Sequence, residues 1–197
     1  MPRYLLMEPL PTEKKKQDLF LKMCYEYDRF IFYENELPEE VSIMGIIDVQ
    51  KAIKDSIQTE KDAMDYYKYG AERMAEDRAR QTFEILAREE YQHAESFYRI
   101  YSGDDIPSFQ EFMNAPPNTD SSWWKNLQSL LVQDFDERKA LELAIDQEEA
   151  LEKALREMAT QIDDPDISRV YLANATSTHN HLELVEEDYK AMLGMSG

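Results

Sequence analysis

The feature that most constrains this chain is an internal repeat. Adding 88 to the residue number lays the sequence on itself without a gap: Asp48 falls on Asp136, Lys51 on Lys139, Ala52 on Ala140 and Ile57 on Ile145. Further along, Ala71 falls on Ala159, Phe83 on Tyr171 and Tyr101 on Tyr189. Two matches are chemical, Glu60 with Glu148 and His93 with His181. A constant offset through two helical segments and the turn between them predicts one helical hairpin used twice about a pseudo-two-fold axis.

Apolar spacing defines the buried faces. Ile53, Ile57, Glu60, Met64, Tyr67, Ala71 and Met74 recur at intervals of three and four, as do Leu141, Ile145, Glu148, Leu155, Ala159 and Ile162. Each set predicts an amphipathic helix with one carboxylate in the middle of its apolar stripe. Between them, Phe83, Leu86, Phe97 and Ile100 form a third stripe that contains Glu90 and His93, three residues apart and so on one helix face. An acid and an imidazole within such a stripe cost several kcal/mol unless something pairs with them. A metal ion is one such partner, and Glu-x-x-His on inward-facing helices is how carboxylate-bridged di-metal bundles are built. Alone, Glu90 and His93 read as a helix-flank acid and a satisfied core histidine. Glu60, Glu148 and His181 at repeat-related positions turn the reading toward a metal.

Composition narrows the class. A chain of 197 residues with five Gly and abundant Glu, Ala, Leu, Lys and Met predicts an all-α protein with one sizeable core. One Cys excludes an intrachain disulfide framework and any four-cysteine centre, which leaves Cys24 as a core thiol on its own helix. A net charge of -19 argues against nucleic acid as a partner, because phosphates would be repelled. No apolar run is long enough to span a bilayer and no signal peptide opens the chain, so no membrane association and a cytoplasmic location are expected.

In chain order, residues 1–45 are expected to form an N-terminal extension. Its amphipathic helix carries Leu19, Met23, Tyr27, Phe30 and Ile31 and ends before Pro38; it can pack on the bundle or on a second subunit. Residues 46–197 are expected to hold the bundle. The first helix should run from a cap at Asp48 to about Glu76, and the second from there to Tyr101, before Ser102-Gly103. About three dozen residues then separate Tyr101 from Asp136, carrying Pro107, Pro116-Pro117 and Trp123-Trp124. A hairpin repeated with its direction preserved needs a crossover of about 40 Å, the length of one such helix. Leu127 to Phe135 should form a short helix within it, and the Trp pair should anchor it or a subunit contact. The third helix is expected from Asp136 to Asp163, and the fourth from the Asp164-Pro165 start to about Leu193. Tyr66, Tyr67, Met74 and Met158 read as core filling; Tyr67, two turns after Glu60, is also placed to donate a hydrogen bond toward the acids.

Over residues 46–193 the pattern resembles the ferritin-like superfamily, and within it the rubrerythrin-type di-iron carboxylate proteins. In that family, helices one and three each give a Glu, and helices two and four each give a Glu-x-x-His. The resemblance implies an all-α, ferritin-like four-helix bundle, two repeated hairpins with a long crossover, plus the N-terminal helical extension. It implies metal ligation by Glu60, Glu90, His93, Glu148 and His181, with Glu90 bridging, Glu60 paired with His93 and Glu148 paired with His181. The sixth position, three before His181, holds Thr178, a neutral hydroxyl and a poor ligand. His179 is two residues from His181 and points away from it, and Glu149 and Glu152 read as solvated flank acids. Leu151 stands where rubrerythrins tend to carry an additional Glu, and the Cys-rich electron-transfer module of that family is not found in this sequence.

The implied cofactor is Fe, two per chain with the site intact or one with it reduced, with Mn as an alternative. The implied activity is oxidoreduction of a small oxidant, peroxide or O2, with an electron donor the sequence does not name and a homodimer as the assembly. Two other classes stand beside it: non-catalytic iron binding, and a scaffold whose decayed site leaves the bundle for protein interaction.

Overall fold

The computed structural model describes residues 47–131 and 135–195. The N-terminal extension, its expected amphipathic helix and Cys24 lie outside the described residues, as do positions 132–134 of the expected crossover helix. Among the described residues there are six helices and no strand: α1 Val49–Ala71, α2 Asp77–Ile100, α3 Phe109–Met113, α4 Ser122–Leu131, α5 Glu137–Gln161 and α6 Pro165–Met192. The long pairs α1–α2 and α5–α6 form two hairpins, joined through α2 and α6, with the crossover helix α4 packed on α1 and α5. This is the ferritin-like arrangement, and none of the described helices is long and apolar enough to cross a membrane.

The repeat governs local structure as well as topology. The hairpins begin at Val49 and Glu137, and their second helices at Asp77 and Pro165, each pair 88 apart. The caps repeat too. Asp48 accepts from Lys51 N at 3.0 Å and Asp136 from Lys139 N at 3.0 Å, each satisfying an otherwise unpaired first-turn donor. Glu76 accepts from Ala79 N at 2.7 Å to start α2, and Asp164 from Asp166 N and Ile167 N at 2.9 and 3.3 Å to start α6.

Helix α1 stops at Ala71, five residues before the expected Glu76. The Gly70 carbonyl accepts from Arg73 N and Met74 N, and the Glu137 carboxylate accepts from Ala75 N and Glu76 N at 3.0 Å each, so the connection is closed by the other hairpin. Gly70 also lets the pair approach: a Cβ there would lie 2.9 Å from the Phe83 ring. The crossover helix starts at Ser122, five residues before the expected Leu127, because the Ser121 hydroxyl accepts from Trp124 N at 3.1 Å and Trp123 turns into the core. Trp123 meets Tyr66 and Tyr67 at ring-centroid distances of 5.3 and 5.7 Å. Helix α3, a single turn with a Ser108–Glu111 capping box, has no counterpart among the sequence expectations.

The core is the apolar stripes closed on one another: Ile53, Ile57, Tyr67, Phe83, Leu86, Phe97, Leu141, Tyr171 and Val185 are all fully buried. Each large side chain removed from water contributes about 1.5–3 kcal/mol. The crossover is also held by polar contacts on α1. Lys61, 2% exposed, bridges buried Asp65 at 2.6 Å and reaches the Pro116 carbonyl at 3.5 Å; Asp62 accepts from Gln58 at 2.8 Å and from Asn118 at 3.3 Å. Burial pushes the Asp62 carboxyl up to about 6 despite these donors.

Candidate metal centre

All five residues singled out as ligand-type converge between the hairpins. Glu60 comes from the middle of α1, Glu90 and His93 from one face of α2, Glu148 from the middle of α5 and His181 from α6. Glu60, Glu90, Glu148 and His181 are 0% exposed and His93 is 8%. Glu90 stands at the centre: its Oε2 accepts from His93 Nδ1 at 2.9 Å and its Oε1 from His181 Nδ1 at 3.0 Å. The two imidazoles stack at 5.0 Å with 13° between planes. Glu60 Oε2 lies 3.8 Å from His93 Nδ1, and Glu148 Oε2 lies 3.8 Å from His181 Nδ1. Two half-sites result, each made of one outer Glu, one His and one oxygen of Glu90. Glu90, His93 and His181 bring their ligand atoms within 4.8 Å of one another, close enough to share a metal ion.

Both oxygens of Glu60 and Oε2 of Glu148 are buried with no hydrogen-bond partner. A buried carboxylate oxygen without a donor costs several kcal/mol, so these atoms call for a cation or a proton. The donor set, three carboxylates and two imidazoles, suits a hard-to-borderline divalent ion and lacks the thiolates of an iron–sulfur cluster or a cysteine-type zinc site. The residues present therefore fit a metal.

Without one, the cluster holds protons. Burial pushes the Glu60 carboxyl up to about 8, with His93 pulling the other way, and burial followed by the Glu90 charge pushes Glu148 well above the carboxylate range. Glu90 is buried too, but the His181 and His93 hydrogen bonds outweigh this and hold it well below that range. Burial would lower both histidines, yet the carboxylates of Glu60 and Glu90 raise His93 to about 11, and Glu90 with Glu148 raises His181 to about 9. Their imidazoliums and the protons on Glu60 and Glu148 occupy the charge positions a cation would take.

Thr178 is the repeat mate of Glu90, is 0% exposed, and its hydroxyl has no partner. His179 points outward, against Glu152 at 2.9 Å, and Glu149 is exposed. Two further contacts surround the cluster. The Tyr67 hydroxyl donates to Glu148 Oε1, so this side chain is core and donor at once. His181 Nε2 donates to Glu89 Oε2 at 2.8 Å. Glu89 was not among the sequence candidates; its place beside Glu90 was the available signal, but its contact with α6 depends on interhelical register. A groove of about 810 Å³ on the α1–α2 hairpin, lined by Met64, Lys68, Met74, Arg88 and Tyr91 among others, includes none of the five.

The rubrerythrin family model matches residues 51–114, a span that takes in Glu60, Glu90 and His93 and ends before Glu148 and His181. Comparison with curated proteins and with solved structures gave no match. With a rubrerythrin match over residues 51–114 and a bundle of two repeated hairpins around a buried Glu–His cluster, the chain is similar to the rubrerythrins of the ferritin-like superfamily.

Proposed function

We propose that this protein binds divalent iron at Glu60, Glu90, His93, Glu148 and His181 and acts as an oxidoreductase on peroxide or O2. The observation that carries the reading is the set of orphaned oxygens on Glu60 and Glu148, buried and turned toward imidazole nitrogens at 3.8 Å. Iron in such a set, when bound, supplies a redox couple and open coordination positions for a small oxidant.

The chain's own residues provide the setting. Glu90 offers one oxygen to each half-site and so ties α2 to α6. Glu60 and Glu148 close the two ends, and burial of all five side chains, at 8% exposure or less, keeps bulk water out. The two Nδ1 atoms must give up their protons before they can serve as donors. Thr178 brings no charge, so the set has three carboxylates rather than four. Mn(II) fits the same donors, and the electron donor and homodimeric assembly belong to the same proposal.

The test is anaerobic reconstitution with Fe(II), elemental analysis and measurement of peroxide consumption, wild type beside Thr178→Glu. About two Fe per chain in the wild type, with peroxide consumption lost in Glu90→Ala, supports the reading. Metal only in Thr178→Glu overturns it in favour of a scaffold whose site has decayed. Bound iron without peroxide or O2 turnover leaves non-catalytic iron binding.

A further inference from the structure

The repeat pairs Glu60 with Glu148 and His93 with His181 but not the groups behind them. At the second half-site, Tyr67 donates to Glu148 Oε1 and leaves Oε2 facing His181 Nδ1 at 3.8 Å. On the far side of the ring, His181 Nε2 donates to Glu89 Oε2 at 2.8 Å, which fixes the ring plane and aims Nδ1 inward. At the first half-site neither support exists. Leu155 is the repeat mate of Tyr67 and Ser177 that of Glu89, a side chain without a polar group and one too short to stand in for a glutamate. Both Glu60 oxygens are without a partner, and among the described residues none accepts from His93 Nε2.

We propose that the two half-sites bind divalent cations unequally: the Glu148–His181 position fills first and holds its ion more tightly, and Tyr67 and Glu89 are the positioning residues that make the difference. The inference rests on the metal reading above and deepens it. A carboxylate on the outer N–H of a ligating histidine sets its orientation and raises the basicity of the inner nitrogen, and losing such a partner typically costs 10–100-fold in affinity. A hydroxyl on one oxygen of Glu148 likewise settles which oxygen faces the ion. Glu60 starts without such a partner and loses rotamer freedom on binding. Glu90 gives one oxygen to each side and favours neither. The first half-site also lies nearer water, since His93 is 8% exposed against 0% for His181.

The test is anaerobic titration of the metal-free full chain with Mn2+, following the free ion by electron paramagnetic resonance. Two steps separated by about 10–100-fold are expected. Glu89→Gln and Tyr67→Phe should each weaken the tighter step alone and narrow the gap. Glu60→Gln should remove the weaker step and keep the tighter one, and Glu148→Gln should do the reverse. An unchanged metal-free melting temperature in Glu89→Gln separates positioning from a structural role. Two equal steps in the wild type, or loss of the tighter step in Glu60→Gln, overturns the inequality while leaving the metal reading in place. No Mn2+ bound at either position removes the metal reading itself, and this inference with it.

Discussion

Replacing Glu60 by Met should change protein stability in opposite directions with and without metal. Glu60 is fully buried, neither oxygen has a partner, and burial pushes its carboxyl from 4.5 up to about 8. An acid raised in this way destabilises the folded state only once the unfolded chain has released its proton. The penalty is absent below about pH 4.5, grows through neutral pH and is complete above about pH 8. At about 1.4 kcal/mol per pH unit, it reaches about 5 kcal/mol at high pH and about 3 kcal/mol at pH 7. One opposing effect must be subtracted. His93, raised to about 11 partly by Glu60, contributes stability that is fully present below about pH 6.5 and is lost as pH rises toward 11. Removing Glu60 forfeits part of that. The net gain for metal-free Glu60→Met at pH 7 is then about 1–3 kcal/mol, in line with other replacements of buried charge by apolar groups. For a chain of this size that raises Tm by a few degrees to about 10 °C. At pH 5 the gain should shrink toward zero.

Metal reverses the sign. A wild-type chain in Mn2+ at about a thousand times the Kd of the Glu60–His93 position gains about 4.1 kcal/mol from it, more than the roughly 1–3 kcal/mol above, and a variant without Glu60 forgoes that gain. Thermal and urea unfolding at pH 5 and pH 7, in chelator and in excess Mn2+, reads both effects. If Glu60→Met lowers the stability of the metal-free protein equally at the two pH values, the carboxylate is satisfied within the fold and the reasoning fails.

Other outcomes follow from the same geometry. Metal uptake at pH 7 should release about four protons per chain, from Glu60, Glu148, His93 and His181, and affinity should rise with pH; calorimetry in buffers of different ionisation enthalpy measures this, and near-zero release would contradict it. Lys61→Met should cost about 3–5 kcal/mol by stranding buried Asp65, while adding Asp65→Leu should restore most of the loss in urea unfolding. Phe83→Ala should cost about 3–5 kcal/mol, since the ring is fully buried against Tyr66 and Tyr67, and should also weaken Mn2+ binding by loosening Tyr67.

Much of the bundle was legible because each segment's information is local. Asp48 and Asp136 announce helix starts by side-chain chemistry alone, and stripes such as Ile53–Ile57–Glu60 place a carboxylate on a buried face by spacing alone. Four of the five clustered residues were legible through the repeat, which pairs Glu60 with Glu148 and His93 with His181, and Glu90 through its three-residue spacing from His93. What was not legible depends on partners far along the chain. Helix α1 ends early because Glu137, more than sixty residues on, takes the Ala75 and Glu76 N–H groups. The role of Glu89 depends on His181 reaching it across the bundle, and that of Tyr67 on the register between α1 and α5. Helix α3, at five residues, is too short for a periodic signal.

The strap formed by Pro116 and Asn118 lies over one copy of the duplicated hairpin. On that copy, Lys61, Asp62 and Asp65 are sealed from water; on the other, their counterparts Glu149, Ala150 and Lys153 are exposed. The halves are thus no longer interchangeable. Three positions of α1 have become an internal joint, where a change of charge is severe, whereas the matching positions of α5 are open ground on which most substitutions are nearly neutral. Duplication supplied two equivalent hairpins, and the chain joining them gave each a different tolerance for change.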